Sequence, residues 1–529
     1  MKKNNIFKQI IYTVFLILSL AYIIYRIFFT LPFNLGIIAI VFSVIVLLVE
    51  IWDFFDFFTY FFNILCVSKK SPSIPSLNNF TNYPEIDILI ATINESEYLL
   101  TKTITACKNL NYPDKSKLHI YICDDGNRNN IRSLSVSLGV NYLTRKSNTN
   151  AKAGNYNHAL KNISSPYVAT FDADMAPTPD FILTALPFFV TAKEKIGFIQ
   201  FPQSFINPDI FQSRFHLENK IPFEQDYFYH NIQLANNSTN SVVCCGTNTL
   251  FSREALDKIH GFSTGTISED IATGMAIESN GYKCLALDNI QAYGIAVNDV
   301  SGFIKQRSRW ARGCIQILKK FKIIRNKGLS FKQKIQYLSC ISYWFFGIKR
   351  MTYLLSPLLF SLFGIIIVDC NLKTFITFWL PAYLLKRLLL DIFENNYRSS
   401  TWNKIYETIL TPALFVDTLK ELFGFGNTNF DVSPKTTSSS NYGKPHKKLL
   451  ISHIFLWLLN ILGLILCFVR GSANITIYAF SILWTISNIF YLSISIIFDT
   501  RKSKKSNTVF VPNKVKKYNK LSSFSIFFK

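Results

Sequence analysis

The chain has 529 residues, 49% hydrophobic and 15% aromatic but only 17% charged, with a mean hydropathy of +0.21. Soluble proteins carry about 25% charged residues and disordered chains are poor in apolar ones, so neither describes this chain, while 21 Gly and 10 Cys exclude collagen-like and disulfide-scaffold classes. What remains is a membrane protein with a substantial polar part. The 56 Lys and Arg against 33 Asp and Glu give a net charge of +23, which points to anionic lipid, an anionic substrate or nucleic acid. No nucleic-acid motif accompanies the charge. Residues 501–529 are rich in Lys, carry no acid and directly follow an apolar run, which reads as a basic cytosolic tail at anionic membrane lipid.

Two apolar runs open the chain, Gln9 to Phe29 and Phe33 to Trp52. Each is about 20 residues, the length a helix needs to cross the hydrocarbon. No small-residue cleavage site follows the first, so both are expected as anchors rather than a signal peptide. From Pro72 to Arg325 polar and turn residues rise. Ile86–Ala91, Leu118–Cys123 and Tyr167–Phe171 read as strands with helical patterns between them, the order of an α/β fold with a mostly parallel sheet. Tyr353–Val368 and Leu372–Leu390 then read as two spans, and Leu449–Val469 and Ile475–Phe498 as two more. Between these pairs, Trp402, Ile405, Ile409, Leu410, Ala413, Leu419 and Leu422 recur at helical spacing with charges elsewhere, an amphipathic helix lying on a membrane surface. Residues 331–349 read similarly.

Lys2, Lys3, Lys8, Lys69, Lys70, Lys386, Arg387, Lys444, Lys447, Lys448 and the tail flank one side of these spans, whereas the loops near 30, 370 and 472 carry few charges. The positive-inside rule then places both termini and the polar domain in the cytosol. The expected organisation is two transmembrane helices in 1–70, a cytosolic α/β domain in 71–325, interfacial helices and four spans in 326–500, and the tail. The scattered cysteines form no C-x-x-C pair, which argues against a zinc site and a disulfide framework.

Several polar clusters could do chemistry. Asp124-Asp125-Gly126 and Asp172-Ala-Asp174 each follow an expected strand, and Glu269-Asp270 ends Thr266-Ile-Ser-Glu-Asp. Ligands of α/β folds bind at the carboxyl ends of parallel strands, so the first two would converge on one crevice. A D-x-D pair suits a hard divalent cation bridging to a diphosphate, and a third carboxylate suits a general base on an acceptor hydroxyl. Each pair alone serves equally as a helix cap, turn former or first-turn dipole partner. Gln306-Arg-Ser-Arg309-Trp310 combines donors for a diphosphate with a flat face for a sugar ring, yet Arg and Trp also suit a snorkelling interfacial segment. Lys152-Ala-Gly-Asn155 adds a cation beside a Gly that permits close backbone approach, or simply opens a helix.

Taken in order, these motifs resemble those of the processive membrane-bound glycosyltransferases of family two, the cellulose synthases among them, over roughly residues 80–440. The resemblance implies a nucleotide-sugar-binding glycosyltransferase domain inserted between about six α-helical transmembrane spans and interfacial helices. It implies that Thr92, Asn94 and Glu95 bind nucleotide, that Asp125 contacts uracil with Lys152 close by, and that Asp172 and Asp174 hold UDP and Mg²⁺ or Mn²⁺. Asp270, beside Glu269, becomes the catalytic base. Gln306 and Arg309 contact the diphosphate, Trp310 floors the acceptor site, and Cys245-Gly246-Thr247 lines the acceptor terminus. Phe430-Asp-Val432-Ser433-Pro-Lys435 resembles the F-x-V-T-x-K gating loop of cellulose synthases, near 424–440, with Ser433 in place of Thr.

The resemblance implies inverting synthesis of a β-glucan, cellulose from UDP-glucose first, coupled to export through the membrane part of a multi-pass plasma-membrane protein. Mixed-linkage (1,3;1,4)-β-glucan, then chitin- or hyaluronan-type synthesis from another UDP-sugar, stand behind it. A non-processive lipid-linked transferase and an inactive export subunit are the other classes. Expected partners are the donor, the growing glycan, membrane lipid and an accessory export subunit or a second copy, without nucleic acid. No PilZ domain and no plant-type zinc-binding N-terminus are apparent, and two spans precede the catalytic domain, so direct activation by cyclic diguanylate is not expected.

Overall fold

A computed structural model describes residues 2–66, 71–77, 80–218, 220–393, 400–426, 446–470 and 475–502. The gating-loop residues Phe430, Val432, Ser433 and Lys435, and nearly all of the basic tail, lie outside the described residues. In chain order the elements are α1 (Lys2–Phe29), α2 (Ile37–Cys66), β1 (Ile86–Thr92), α3 (Glu97–Lys108), β2 (Leu118–Asp124), α4 (Asn129–Ser137), β3 (Asn141–Leu143), α5 (Ala151–Leu160), β4 (Tyr167–Asp172), β5 (Ala176–Pro177), α6 (Phe181–Thr191), β6 (Ile196–Gln200), β7 (Ser204–Phe205) and α7 (Ile210–Phe215). There follow α8 (Leu234–Asn236), β8 (Thr249–Ser252), α9 (Arg253–Lys258), α10 (Glu269–Ser279), β9 (Lys283–Ala286), β10 (Ala292–Gly294), α11 (Val300–Lys320), α12 (Phe331–Tyr343), α13 (Phe346–Phe363), α14 (Leu372–Phe393), α15 (Ser400–Leu422), α16 (Lys447–Arg470) and α17 (Ile475–Thr500).

The chain divides into two compact units, a helical one from residues 1–68, 339–426 and 443–503, and an α/β one from 69–338. The α/β unit runs past the expected boundary at Arg325 because long-range bonds tie the next segment to it. Tyr337 Oη donates to Glu278 Oε2 at 2.6 Å, and Gln333 Nε2 donates to the carbonyl of Asn240 at 2.6 Å.

In the α/β unit, seven of the described strands form a sheet in the order β3-β2-β1-β4-β8-β6-β9. Pairing is parallel from β3 through β4, antiparallel on both sides of β8, and parallel again between β6 and β9. Three further described strands pair in a second sheet of order β5-β10-β7. The expected mostly parallel sheet is therefore present. Strand β1 is a near-continuous apolar run because parallel strands are covered on both faces. Its side chains alternate: Ile86, Ile88 and Ile90 join Leu100, Ile104, Phe171 and Phe181 in one core, while Leu89 joins Tyr156, Phe198 and Phe251 in the other. Each such fully buried side chain stabilises the unit by roughly 1.5–3 kcal/mol. Register places Thr92 opposite Asp124 and Ala91 opposite Asp172, so the carboxyl ends of β1, β2 and β4 finish level.

In the helical unit, four of the described helices contain segments long and apolar enough to cross a membrane: Ile6–Phe29, Ile37–Thr59, Lys447–Val469 and Tyr478–Thr500. Exposed Phe28, Phe29, Leu48, Phe455 and Leu483 give them an apolar exterior, which water does not tolerate over such an area. The protein is membrane-associated. The second expected span starts at Ile37 rather than Phe33, because Gly36 holds a positive φ of 92°. Over the spans expected at Tyr353–Val368 and Leu372–Leu390 lie α13, which Gly364 caps after Phe363 at φ 75°, and α14, and neither is among these four. Helix α15 occupies the segment expected to be amphipathic, and it buries Ile405, Ile409, Leu410 and Leu414 while packing on α13 and α17.

Candidate active site

The residues expected to bind nucleotide stand where β1 and β2 end. Glu95 Oε2 accepts from Thr92 Oγ1 at 2.7 Å and from the backbone N–H of Ile93 at 2.9 Å, while Asn94 stands exposed on the loop. Asp124 is fully buried and organises the turn. It accepts from the N–H groups of Gly126 (3.0 Å) and Arg128 (2.8 Å), from Arg128 Nε (3.1 Å) and from Tyr142 Oη (3.0 Å). Arg128 reaches back to Thr92 Oγ1 at 2.8 Å and to the carbonyl of Glu95 at 2.6 Å. Asp125 receives a two-pronged bond from Arg145, with Nε to Oδ1 at 2.6 Å and Nη2 to Oδ2 at 2.8 Å. The same Nη2 donates to the carbonyl of Ala151, which sets Asp125 beside the start of α5 and hence near Lys152. Such fork-to-carboxylate geometry fixes orientation as well as charge. Each Asp125 oxygen still has a lone pair with which to accept a further N–H.

Lys152 stands in the first turn of α5. Its Nζ donates to Asp172 Oδ1 at 2.5 Å and to the carbonyl of Gly246 at 2.8 Å. Burial pushes this ammonium down, but the Asp172 carboxylate, Tyr156 and Glu269 together hold it above the ordinary lysine range. Asp172 ends β4, and its backbone N–H donates to Thr247 Oγ1 at 2.8 Å. Asp174, two residues on, is buried. Gly246 has φ 70°, and a methyl placed on it would stand 3.1 Å from Asp270 Cβ, 3.3 Å from Asp270 Oδ2 and 3.5 Å from Lys152 Nζ. Lys152, Asp172, Gly246 and Asp270 therefore meet, although up to 118 positions separate them in sequence. Cys245 is held by the Gln200 amide, its N–H donating to Oε1 at 2.8 Å. Burial, then the Asp270 charge, pushes the Cys245 thiol up to about 12, so it stays protonated.

Glu269 and Asp270 occupy the first turn of α10, where the helix dipole favours negative charge. Burial raises both carboxyls. Glu269 reaches about 7 through burial and the charge of Asp270, opposed by Lys152 and Arg309. Asp270 is raised by burial and restrained by the Ile271 N–H, Lys152 and Arg309. A carboxyl lifted in this way is better matched to take a proton near neutral pH.

Helix α11 is docked against this turn. A side chain at Gly313 would collide with Ser268 Oγ and come within 2.9 Å of its backbone nitrogen. Gln316 Oε1 accepts from the Ile267 N–H at 3.0 Å. Gln306 and Trp310, four residues apart, share one face of this helix. A cleft open to solvent has Asp172, Gln306, Phe205, Phe223 and Phe303 in its walls. Amides, carboxylates and rings together suit a charged, sugar-bearing ligand.

Asp172 and Asp174 present hard oxygen donors, and among the described residues no third carboxylate, His or Cys completes a cluster with them. Mg²⁺-type ions are commonly bound by one or two carboxylates plus substrate phosphates, so the pair fits a divalent cation whose shell the substrate completes. Arg128, Arg145 and Arg307 bond to Thr92, Asp125 and Gln306, and motif reading did not single them out. The signal was faint: Arg128 stands just after the Asp-rich end of β2, and Arg145 just after β3.

The α/β unit has the GT-A-type glycosyltransferase fold. The chain's match to the mannosyltransferase PcManGT from Pyrobaculum calidifontis, solved with GDP-Man and Mn²⁺, has a TM-score of 0.53 at 17% identity and covers 72% of this chain and 99% of that one. Residues 167–390 match the family model described as glycosyl transferase family group 2. The chain is 32% identical over 78% of its length to the UDP-forming cellulose synthase catalytic subunit of Pseudomonas fluorescens strain SBW25. It is 30% identical over 81% to that of Xanthomonas axonopodis pv. citri strain 306. It spans 56% and 59% of the length of these two relatives. The matches make this chain similar to family-two glycosyltransferases of the cellulose-synthase-like kind.

Proposed function

We propose that the protein polymerises a β-glucan processively and with inversion, β-1,4-glucan from UDP-glucose in the first instance, and exports the polymer through its helical unit. The observation that carries this reading is the meeting of Lys152, Asp172, Gly246 and Asp270 beside the α11 segment that bears Gln306, Arg309 and Trp310. Asp125 would read the uracil, with Thr92, Asn94 and Glu95 shaping the nucleotide end. Asp172 and Asp174 would hold Mg²⁺ or Mn²⁺, whose chemistry is to neutralise charge on a leaving diphosphate. Gln306, Arg309 and Lys152 add positive and hydrogen-bonding character on the same side.

Asp270 would take the proton of the acceptor hydroxyl as that oxygen attacks the anomeric carbon from the face opposite the diphosphate. The bond from anomeric carbon to diphosphate oxygen breaks, its electron pair leaves with UDP, and the configuration inverts. Trp310 would floor the acceptor ring, and the small Gly246 lets the chain end approach Asp270. Export is supported by polar pairs inside the helical unit, Arg26 with Glu50, Lys349 with Asp53 and Asp56, and His453 with Asp499, since such groups are costly in lipid unless they serve a path. The catalytic unit and both termini are proposed to face the cytosol at the cell membrane.

The test supplies the purified chain in liposomes with radiolabelled UDP-glucose or UDP-N-acetylglucosamine, followed by linkage-specific glucanase digestion of the insoluble product. Incorporation of glucose into a β-1,4-glucanase-sensitive polymer is expected. Incorporation of N-acetylglucosamine alone overturns the glucan assignment.

A further inference from the structure

One buried ion pair beside the cleft has no place in the scheme above. Arg307 lies between Gln306 and Trp310 in sequence, and it is paired with Glu224, 83 positions earlier. Their side chains are 2% and 12% exposed. Removing both charges from water costs more than a simple gain of stability would repay unless the geometry is used. Both Nη atoms and both ring contacts of the guanidinium are engaged, while its Nε is buried without a hydrogen-bond partner. Nη2 donates to Glu224 Oε2, Nη1 donates to Gln306 Oε1 at 2.8 Å, and the planar group lies over Phe303 at 4.2 Å and against Trp310 at 4.4 Å. Positions 303, 307 and 310 form one stripe of α11.

Glu224 is held in turn. Its N–H donates to Asp209 Oδ2 at 3.2 Å, and Asp209 Oδ1 caps α7 by accepting from the Gln212 N–H at 2.8 Å. The bond from Arg307 to Gln306 has a chemical consequence. An amide can present either its oxygen or its NH₂ to a ligand. With Oε1 committed to Arg307, Gln306 offers Nε2, a donor, and a diphosphate requires donors.

We propose that Arg307 and Glu224 are a positioning pair for the transfer reaction: Glu224 orients the guanidinium, which sets the Gln306 amide with its donor toward the diphosphate and braces Trp310. This rests on the reading of the cleft as the donor site.

The test uses the full chain in liposomes and measures UDP release against UDP-glucose concentration for the wild type, Glu224→Gln, Arg307→Lys, Gln306→Ala and the Glu224→Gln/Gln306→Ala double variant, with thermal melting alongside. Glu224→Gln is expected to raise KM about tenfold while kcat changes less than about threefold, the scale of a misdirected charge-assisted hydrogen bond. Arg307→Lys keeps the charge but cannot bridge Glu224 and Gln306 in one plane, and it should raise KM in the same way. In the Gln306→Ala background the Glu224→Gln penalty should shrink below about threefold, a coupling that a merely structural pair would not produce. An active wild type with an unchanged KM in Glu224→Gln, or with penalties that multiply independently, overturns this inference alone. A wild type that releases no UDP from any UDP-sugar overturns the functional reading and this inference with it.

Discussion

Gly246→Ala probes the convergence of the site with a single methyl group. The new Cβ would lie 3.1 Å from Asp270 Cβ and 3.3 Å from its Oδ2, and 3.5 Å from Lys152 Nζ. Carbon atoms rest at about 3.5–4.0 Å, so Asp270 must retreat by about half an ångström or the loop must move. The backbone adds its own cost, since φ is 70° and a left-handed conformation costs a residue with a side chain roughly 1–2 kcal/mol. That strain lowers the melting temperature of a unit of this size by only a few degrees, at about 2–4 °C per kcal/mol. The displacement of the base bears directly on the chemistry, where about 1 Å of misplacement can cost ~100-fold. The variant should therefore fold, melt slightly early and release UDP from UDP-glucose at least about tenfold more slowly, with the loss in kcat. Wild-type turnover in a correctly folded Gly246→Ala chain would refute the placement of Asp270 against the Cys245–Thr247 segment.

Asp270→Asn removes the proposed base while keeping its shape, and it should lower kcat by about 10²–10⁴-fold with UDP binding retained by isothermal titration. The acid limb of the activity profile should lie above the ordinary aspartate range, because burial raises Asp270 and the unprotonated form is the active one; activity is present above its pKa and lost as pH falls through it. Glu269 also bears on stability. Its pKa moves from 4.5 to about 7, so folding favours its protonated form. The associated stability is present below pH 4.5 and is lost as pH rises towards 7, a loss of at most about 3 kcal/mol at 1.4 kcal/mol per unit. Glu269→Gln should accordingly melt at least as high as wild type at pH 8, and a clear destabilisation there would refute the assignment. Arg145→Lys cannot form the fork on Asp125; KM for UDP-glucose should rise about tenfold with little change in kcat, and an unchanged KM would separate Asp125 from donor binding.

Much of this protein is local information. The apolar runs at β1, β2 and β4 read as strands because a parallel strand is covered on both faces, and the acids that end them were legible as strand-end carboxylates. Four of the apolar helices were legible from length and hydropathy, while the start of α2 after Gly36 and the end of α13 at Gly364 follow from positive φ, a backbone choice with no signature in periodicity. Motif order was legible too, because Asp125, Asp172, Asp270 and Gln306 keep their order whatever the fold does. Tertiary structure alone decided the partnerships. Arg145 on Asp125, Lys152 on the Gly246 carbonyl, Gly313 against Ser268 and Arg307 on Glu224 join segments 20 to 94 positions apart. A charge in sequence states its sign but not its partner; the partner is chosen by which helix packs where. That choice depends on the summed burial of many side chains, such as Phe171, Phe198 and Phe251 in the cores, and no short window of residues contains the sum.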